Sequence, residues 1–414
     1  MSKRHVRTLK FMAVITTAVL SLSACALVGS EEEAAEGTPE TYKVAFIGPL
    51  SGPTADLVTR PADAVEVLFD RINAEGGVEL ENGDRVKLEL TREDTQGTPQ
   101  GQTQAIRKAS RDADALIGGM LSSPTIAGMD VAESESIPYN IVGAVSATIE
   151  EKIAAQDMKF VFHSAPNAAA RASADIASVV DLLDAQNFHV ISQDTDYGRD
   201  MVEGAEAYIE AEVPNASVTV EYVPAGATQF STQMLKVREA SPKPDVIYAV
   251  LAGQEMFSFM QQKHSTNDTT MVYGASSTPS SNIYIETLGA DVADGTITNS
   301  VWLPGMSGEA GDQFTEDYEA ATGRLPADVE VQAYDGALML IDAMKKADSL
   351  GREDVAAAML SAEVDGLRGK NVFDPETHGT PDLTFVITQI QGGEFVPVWP
   401  EEAANGEIQI ATQE

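Results

Sequence analysis

The sequence predicts an α/β fold whose sheets are mainly parallel, and three observations support that class. Short apolar runs, such as residues 115–117 and 246–251, alternate with longer segments whose apolar residues recur at helical spacing. These runs are apolar at successive positions, which is typical of strands covered by helices on both faces. The strand–helix alternation repeats from residue 42 to residue 273, as expected when helices connect parallel strands. A chain of 414 residues with 43% hydrophobic residues has room for about two such domains.

Each element is predicted from a local pattern. The first strand, residues 42–47, is rich in β-forming residues and ends at Gly48. The first helix carries Leu68 and Ile72 on one face and ends before Gly76. The predicted strands are residues 42–47, 86–90, 115–117, 139–142, 189–192, 218–223, 246–251 and 270–273. The predicted helices are residues 56–74, 100–111, 126–134, 168–183, 200–211, 231–239 and 255–263.

The C-terminal third has a different order of elements. Three stretches with helical spacing come first, and two apolar runs around Gly392-Gly393 close the chain as a predicted hairpin. The helices are residues 312–322, 329–347 and 352–360, and the hairpin strands are residues 383–391 and 394–398.

The N-terminal segment predicts export and lipid attachment. Four basic residues and no acidic one precede a mostly apolar run, residues 11–20, as in a secretory signal peptide. The run Leu22-Ser23-Ala24-Cys25 resembles the lipobox of bacterial lipoproteins, in which the cysteine is acylated. We therefore expect a signal peptide over residues 1–24, lipidation at Cys25 and an acidic flexible tether over residues 25–41. The alternative is an ordinary signal peptide with a chance cysteine.

Composition limits the classes of partner. The formal net charge is −37, from 27 basic and 64 acidic residues, so the surface repels phosphate backbones and nucleic acid is not an expected partner. Such acidity fits either a saline habitat or an acidic secreted protein. Cys25 is the only cysteine, so the folded part has no internal disulfide. No apolar stretch after the signal reaches the ~20 residues of a transmembrane helix.

No pattern of catalytic or metal-binding residues is found. The sequence has no G-x-S-x-G elbow, phosphate-binding loop or G-x-G-x-x-G motif, and we expect no enzyme and no cofactor. The histidines have no metal-ligand spacing, and they are His5, His163, His189, His264 and His378.

A set of short motifs, spread over nearly the whole mature chain, carries a family resemblance. In order they are Val44-Ala45-Phe46-Ile47-Gly48-Pro49-Leu50-Ser51-Gly52-Pro53, Ile72-Asn73-Ala74-Glu75-Gly76-Gly77, Asp94-Thr95-Gln96-Gly97-Thr98-Pro99, Ile117-Gly118-Gly119 with Ser122-Ser123, Asp196-Tyr197-Gly198, Pro244-Asp245-Val246-Ile247-Tyr248, Ala333-Tyr334-Asp335-Gly336-Ala337 and Gly392-Gly393-Glu394-Phe395. Together they resemble the branched-chain-amino-acid type of ABC-transporter substrate-binding protein, similar to Leu/Ile/Val-binding proteins.

The resemblance implies a type I periplasmic binding fold, with two Rossmann-like lobes of parallel sheets joined by a three-segment hinge. Lobe 1 is expected over residues 42–164 and 302–370, and lobe 2 over residues 165–301 and 371–400. Residues 401–414 form a C-terminal tail. Lobes of this kind close on a ligand held between them.

The same resemblance implies a ligand site on both lobes. Ser122 is expected to contact a ligand carboxylate, and Ser123 either joins it or caps the helix that follows. Ala144 and Ser146 resemble the small residue and the hydroxyl that complete a carboxylate pocket, although an ordinary strand-to-loop turn explains them equally well. Tyr197 matches a ligand-facing tyrosine, and the alternative is a tyrosine of the core.

Two positions depart from the amino-acid binders of the family. Gln254 follows a strand where those proteins carry an aromatic residue, and Ser276 stands where they carry the acid that holds the ligand ammonium. A buried ammonium without a charged partner is costly. Either another acid such as Glu255 reaches the ligand, or the ligand has no α-amino group, so simple carboxylates and amides stay open.

The predicted function is an extracytoplasmic solute-binding lipoprotein that delivers a small polar metabolite to an ABC importer. Its expected partners are a small-molecule ligand, a membrane permease and the lipid anchor, and we expect a monomer held at the outer side of the cell membrane. The alternative is a ligand-sensing or cell-wall-regulatory lipoprotein on the same fold. A hydrolase would require a nucleophile–base pair that the sequence does not offer.

Overall fold

The computed structural model describes residues 40–52, 55–381 and 384–410, without the side chains of residues 55–58. The predicted signal peptide, Cys25, nearly all of the tether and the last four residues of the tail lie outside the described residues. Among the residues that are described, no helix is long and apolar enough to cross a bilayer.

Two large sheets and one small hairpin contain the strands of the described chain. The strands are β1 (Thr41–Gly48), β2 (Val78–Glu79), β3 (Arg85–Asp94), β4 (Ala115–Gly118), β5 (Tyr139–Ile141), β6 (Val161–His163), β7 (Asn187–Gln193), β8 (Ser217–Val223), β9 (Val246–Val250), β10 (Met271–Gly274), β11 (Ile297–Ser300), β12 (Glu363–Gly366), β13 (Gly369–Val372), β14 (Val386–Gln391) and β15 (Glu394–Trp399). The six-stranded sheet has the order β2-β3-β1-β4-β5-β6, and the seven-stranded sheet has the order β15-β14-β11-β10-β9-β7-β8. The pair β12–β13 forms a sheet of its own.

Helices cover the faces of both large sheets. They are α1 (Ala55–Ala74), α2 (Pro99–Ala109), α3 (Ser122–Ser134), α4 (Ala147–Gln156), α5 (Ala168–Leu183), α6 (Asp196–Glu212), α7 (Ser231–Glu239), α8 (Gln254–Ser265), α9 (Asn282–Leu288), α10 (Ala290–Ala293), α11 (Gly308–Thr322), α12 (Asp328–Lys346) and α13 (Arg352–Met359). Each sheet has a separate hydrophobic cluster on each face, and β4 and β9 are buried along their whole length. Burial on both faces explains why these strands are continuous apolar runs.

The chain passes between the two sheets three times, after β6, after β11 and after β13. The first and third passages run side by side, because His163 and Gly379 form a parallel bridge and the His163 N–H donates to the carbonyl of His378 at 2.8 Å. Arg368 adds a further bond through Nη1, which donates to the carbonyl of Ser164 at 2.9 Å.

The predicted α/β class with parallel sheets is confirmed, and the two large sheets also contain three antiparallel pairs. These pairs are β2–β3, β11–β14 and the terminal hairpin β14–β15. Three helices begin about one turn earlier than predicted: α3 at Ser122 rather than 126, α6 at Asp196 rather than 200, and α11 at Gly308 rather than 312. Polar first turns carry no apolar periodicity, so the sequence pattern missed them. The elements that the sequence did not predict are β2, α4, β6, α9, α10, β11, β12 and β13.

Candidate functional site

Side chains at the carboxyl ends of strands in the two sheets contact each other. Ser123, in the first turn of α3, accepts the backbone N–H of Asp196 at its Oγ at 3.4 Å. Ser146, in the loop after β5, donates its hydroxyl to the carboxylate of Asp200 on α6. In open α/β sheets, ligands bind at the carboxyl ends of strands. The contacts therefore identify the junction between α3, the β5–α4 loop and α6 as the candidate site.

A second set of polar contacts links helices packed on the six-stranded sheet to loops of the seven-stranded sheet. Nη1 of Arg60 donates to Oγ of Ser281 at 3.1 Å, and the Arg60 guanidinium lies 2.5 Å from Oε1 of Glu330. Oγ of Ser277, in the loop after β10, donates to Oδ2 of Asp328 at 3.1 Å. Arg60, Glu330 and Asp328 are all buried, so these contacts are shielded from solvent and are stronger than surface pairs.

Two serines at helix starts direct their hydroxyls away from their own helices. Ser146 is the N-cap residue of α4 and Ser281 that of α9, yet neither side chain makes a capping hydrogen bond. A serine at this position ordinarily accepts an N–H of the helix it starts, which stabilises by about 1 kcal/mol. Each hydroxyl instead bonds to a helix that packs on the opposite sheet: Ser146 bonds to Asp200 of α6, and Ser281 bonds to Arg60 of α1. The starts of α4 and α9 therefore lack a side-chain cap, and the two hydroxyls form bonds across the junction between the sheets instead.

The turn after β4 positions the start of α3. Gly118 has φ of +134°, and a Cβ built there would lie 2.2 Å from the carbonyl oxygen of Ile47 in β1. The next residue, Gly119, donates its N–H to that same carbonyl at 2.8 Å. Only glycine permits this close approach, which turns the chain over β1 and delivers Ser122 to the strand edge.

The predicted residues on the six-stranded sheet lie together. Ser122 is buried and its Oγ accepts the N–H of Ser146 at 3.3 Å. Ala144 is buried, and its carbonyl accepts Nε2–H of His163 at 2.7 Å. The expectation that Ser123 caps α3 is wrong: the N-cap residue is Leu121, and no side chain caps this helix. A serine inside the first turn cannot reach back as an N-cap does, so the Ser123 hydroxyl is free to meet Asp196.

Of the predicted residues on the seven-stranded sheet, Tyr197 and Ser276 are half-buried or buried, whereas Gln254 is exposed. Tyr197, half-buried in the first turn of α6, donates its hydroxyl to the carbonyl of Ala275. Burial raises the pKa of Tyr197, so the hydroxyl stays protonated at neutral pH. Ser276 is buried and donates to the carbonyl of Leu251 at 2.7 Å. Gln254 is exposed and its amide bonds to Ser258 of its own helix at 3.2 Å.

Glu255 follows Gln254 in the first turn of α8, and one of its carboxylate oxygens is unpaired. Its side chain is buried in the first turn of α8, where Oε1 accepts the N–H of Gly226 and Oε2 has no hydrogen-bond partner. Burial raises the pKa of Glu255, against backbone hydrogen bonds that lower it. Its charge also contributes to raising the pKa of Tyr197, which places the two groups within electrostatic range.

Arg171 is the residue at this edge that the sequence pattern missed. It lies in the first turns of α5, is only 3% exposed, and its Nε and Nη2 have no hydrogen-bond partner. Burial alone lowers the pKa of Arg171, but the charges of Asp328 and Asp175 and the hydroxyl of Tyr197 raise it above its ordinary value. In the sequence, Arg171 and Asp175 look like an i,i+4 ion pair on a solvated helix face.

Asp175 belongs instead to a buried cluster under the seven-stranded sheet. Its carboxylate accepts the hydroxyls of Tyr248 and Tyr273, each at 2.7 Å, and the amide of Asn299. Burial raises the pKa of Asp175, although Arg171 and these three donors lower it. Because Asp175 is bonded to these three donors, it does not form a hydrogen bond with Nε or Nη2 of Arg171. These two nitrogens are therefore available at the junction between the sheets.

Open depressions also lie elsewhere on the surface. One of ≈ 750 Å³ is lined by Ile72, Val78 and Lys345, at the far end of α1. Another of ≈ 360 Å³ is lined by Asn167 and Thr380, beside the passages between the sheets. Both are open to solvent, whereas buried unpaired donors mark the strand edge, so we place the site there. Within the described ranges, no cluster of three or more histidine or acidic residues suits a metal ion.

The family follows from a comparison of the sequence with known proteins. The family model described as periplasmic binding protein matches residues 41–394. The chain belongs to this family. Among curated periplasmic binding proteins, the Leu/Ile/Val-binding protein homolog 7 of Brucella melitensis is 24% identical over 422 residues, covering 95% of this chain and 98% of the relative. Homolog 8 of Brucella abortus is 24% identical over 385 residues, covering 87% of this chain and 91% of its own length.

Solved periplasmic binding proteins share the fold. A leucine-binding protein from Thermotoga maritima superposes with a TM-score of 0.75 at 20% identity, covering 87% of this chain and 98% of its own. A solute-binding protein from R. palustris in complex with benzoate superposes with a TM-score of 0.74 at 22% identity, covering 88% of this chain and 99% of its own. A branched-chain amino acid transporter substrate-binding protein from Streptococcus pneumoniae in complex with isoleucine superposes with a TM-score of 0.75 at 19% identity, covering 87% of this chain and 100% of its own. The expected type I periplasmic binding fold is thus confirmed.

Proposed function

We propose that this protein is an extracytoplasmic solute receptor that delivers a small polar metabolite to an ABC importer by closing two lobes around it. The observation that carries the proposal is a pair of hydrogen bonds, one donated by the backbone N–H of Asp196 to Ser123 and one donated by the hydroxyl of Ser146 to Asp200. These bonds join α3 and the β5–α4 loop, beside the six-stranded sheet, to the start of α6, beside the seven-stranded sheet. Bonds that form only when two units meet give a ligand between them the means to favour the closed state.

The lobes of this proposal follow the two sheets. Lobe 1 comprises residues 42–164 and 302–370, and lobe 2 comprises residues 165–301 and 371–400. The paired passages near His163 and Gly379 support this division, because a paired backbone bends as one hinge.

The ligand site of the proposal lies where the lobes meet. Ser122, Ser123, Ala144 and Ser146 form its first wall, and Tyr197 and Ser276 form its second. The start of α3 supplies N–H groups and the positive end of a helix dipole, which suit a carboxylate. Gln254 belongs to the same loop edge, with its amide turned along α8.

The anchoring and location of the protein rest on its first residues. The basic start, the apolar run and Cys25 support a lipoprotein held on the outer side of the cell membrane. The names of the Brucella relatives, which refer to leucine, isoleucine and valine, support amino acids as one class of ligand. The benzoate bound to the R. palustris protein supports simple carboxylates as another.

We further infer that the protein is a receptor without catalytic activity and acts as a monomer. The family consists of solute-binding proteins, and the hydroxyls of Tyr197 and Ser276 at the proposed site bond to backbone carbonyls, which cannot act as a general base. A regulatory lipoprotein on the same fold is the second candidate, because a binding fold can be reused without transport.

The test is ligand binding followed by reconstitution. Thermal unfolding of the purified protein is measured against amino acids, simple carboxylates, amides and sugars, at low and high salt. A ligand at about 100 times its dissociation constant adds about 2.7 kcal/mol and raises Tm. Small-angle scattering should then show a smaller radius of gyration with that ligand.

Reconstitution with the permease separates transport from regulation. We expect the liganded receptor to stimulate ATP hydrolysis by the permease in proteoliposomes. Binding and closure without such stimulation favours the regulatory candidate, and turnover of the bound compound refutes the assignment as a receptor.

A further inference from the structure

Three arginines are buried in the described part of the chain, and two of them have partners for their guanidinium groups. Arg60 pairs with Glu330 and donates from Nη1 and Nη2 to Ser281 and the carbonyl of Leu325. Arg368 is held by Asp335, Ser164 and Asn371. Both follow the rule that a buried charge is compensated by hydrogen bonds and an opposite charge.

Arg171 departs from that rule at two particular atoms. Its Nε and Nη2 have no partner, although the residue is only 3% exposed. These two nitrogens lie on the same edge of the planar guanidinium and present two parallel N–H donors. This edge matches the two oxygens of a carboxylate, which it binds side-on with two hydrogen bonds.

Arg171 lies near the junction between the sheets, because the N–H of Ala168 at the start of its helix donates to the carbonyl of Val145, in the loop after β5, at 2.7 Å. Its electrostatic partners include Tyr197, on the seven-stranded side, and Asp328, in the first turn of α12 on the six-stranded side. Tyr197 donates to the carbonyl of Ala275, and Asp328 accepts a hydrogen bond from Ser277, so both partners contact the loop after β10. The unpaired donors therefore sit in the junction assigned to the ligand.

We propose that Arg171 is the residue that selects the ligand, by binding a ligand carboxylate side-on through Nε and Nη2. This inference rests on the proposed receptor function and deepens it by naming the ligand class, a small organic acid. Leaving buried donors unpaired costs free energy in the empty protein, and an acid removes that cost whereas a neutral ligand lacks the second matched acceptor.

The carboxylate can come from an amino acid or from an acid without an α-amino group. The acidic side chain of Asp328 nearby would interact differently with these two kinds of ligand. Asp328 lies within electrostatic range of Arg171 and is available to a ligand ammonium. An acid without an amino group instead leaves Asp328 to its bonds with Ser277 and the Val301 N–H. The experiment distinguishes these two sources.

The experiment is isothermal titration calorimetry on the wild-type protein, on R171K and on the control R199K. Arg199 is the matched control because it lies on α6 at the surface, paired with Asp194. The probes are L-leucine, 4-methylpentanoate and benzoate, each compared with its carboxamide. R171K keeps the charge but lacks the two-donor edge.

We expect at least one acid to bind the wild type and its carboxamide to bind at least 10-fold more weakly. We expect R171K to lose about 10- to 100-fold in affinity for that acid, and R199K to match the wild type. Binding of leucine alone identifies an amino acid as the source of the carboxylate, and binding of 4-methylpentanoate or benzoate identifies an acid without an amino group.

Three results overturn the inference. The first is equal binding of an acid and its carboxamide by the wild type, a comparison that needs no variant and holds even if R171K does not fold. The second is unchanged affinity in R171K. The third is a wild-type protein that binds none of the acids. If that protein binds an amide, or a sugar in the thermal-unfolding panel, the receptor function stands without this inference. If it binds nothing, the receptor function fails as well.

Discussion

Asp335 on α12 anchors the small β12–β13 hairpin, and its removal should destabilise the protein strongly. Its carboxylate is fully buried and accepts the N–H groups of Leu367 at 2.8 Å and Arg368 at 3.0 Å, with Nε of Arg368 at 3.2 Å. Arg368 in turn donates to the carbonyl of Ser164 in the first passage between the sheets. The Asp335→Ala change would leave the buried Arg368 charge without its acid.

The size of this effect follows from the buried charge. Removing one partner of a buried pair costs about 3–5 kcal/mol. For a folded unit of the size of Thr38–Glu414, the entropy of unfolding is about 0.8 kcal/mol/K, so the expected fall in Tm is about 4–6 °C. The assay is differential scanning calorimetry of the wild type and D335A, with urea titrations to compare m-values.

The control is K370A on the same hairpin. Lys370 pairs with Glu363 at 2.7 Å, but both side chains are exposed, so we expect no measurable change in Tm. The double variant D335L/R368M should lose less than D335A, because neither charge is left unpaired. A D335A protein that melts within about 1 °C of the wild type, with an unchanged m-value, would refute the reasoning.

Two further predictions concern the anchor and the buried acid of α8. Replacing Cys25 with serine should move the protein from the membrane fraction to the soluble extracytoplasmic fraction, and retention at the membrane would contradict lipidation at this position. Burial raises the pKa of Glu255 above its unfolded value, so its stabilising contribution is present at acid pH and is lost as pH rises through the folded-state pKa. The Tm of E255Q relative to the wild type should therefore increase from about pH 4 to about pH 7. A pH-independent difference between the two proteins would show that this carboxyl does not titrate as inferred.

Local pattern was sufficient for most of the framework. The helix predicted over residues 168–183 has the same bounds as α5, and the buried run at residues 115–117 lies within β4. Such segments are predictable because burial on both faces imposes an apolar run, and burial on one helix face imposes a period of 3.6 residues. Polar first turns, as in α3, carry neither signal.

Part of the candidate site was also predictable. Ser122, Ser146, Tyr197 and Ser276 follow strands of parallel sheets, and the structure places all four near the edge where those strands end. Parallel strands bring their carboxyl ends to one edge, so the position of a residue after a strand gives its location without knowledge of its contacts.

By itself, then, the sequence determined most of the strands and helices, which family they resemble and which hydroxyls follow the strand ends. Only the tertiary structure decided which polar groups are satisfied. Arg171 and Asp175 are spaced like a surface ion pair, yet packing of α5 on the sheet gives Asp175 three other donors and leaves Nε and Nη2 of Arg171 unpaired. The physical reason is that periodicity specifies which face of an element is buried, whereas the partner of a buried charge comes from a distant segment of the chain.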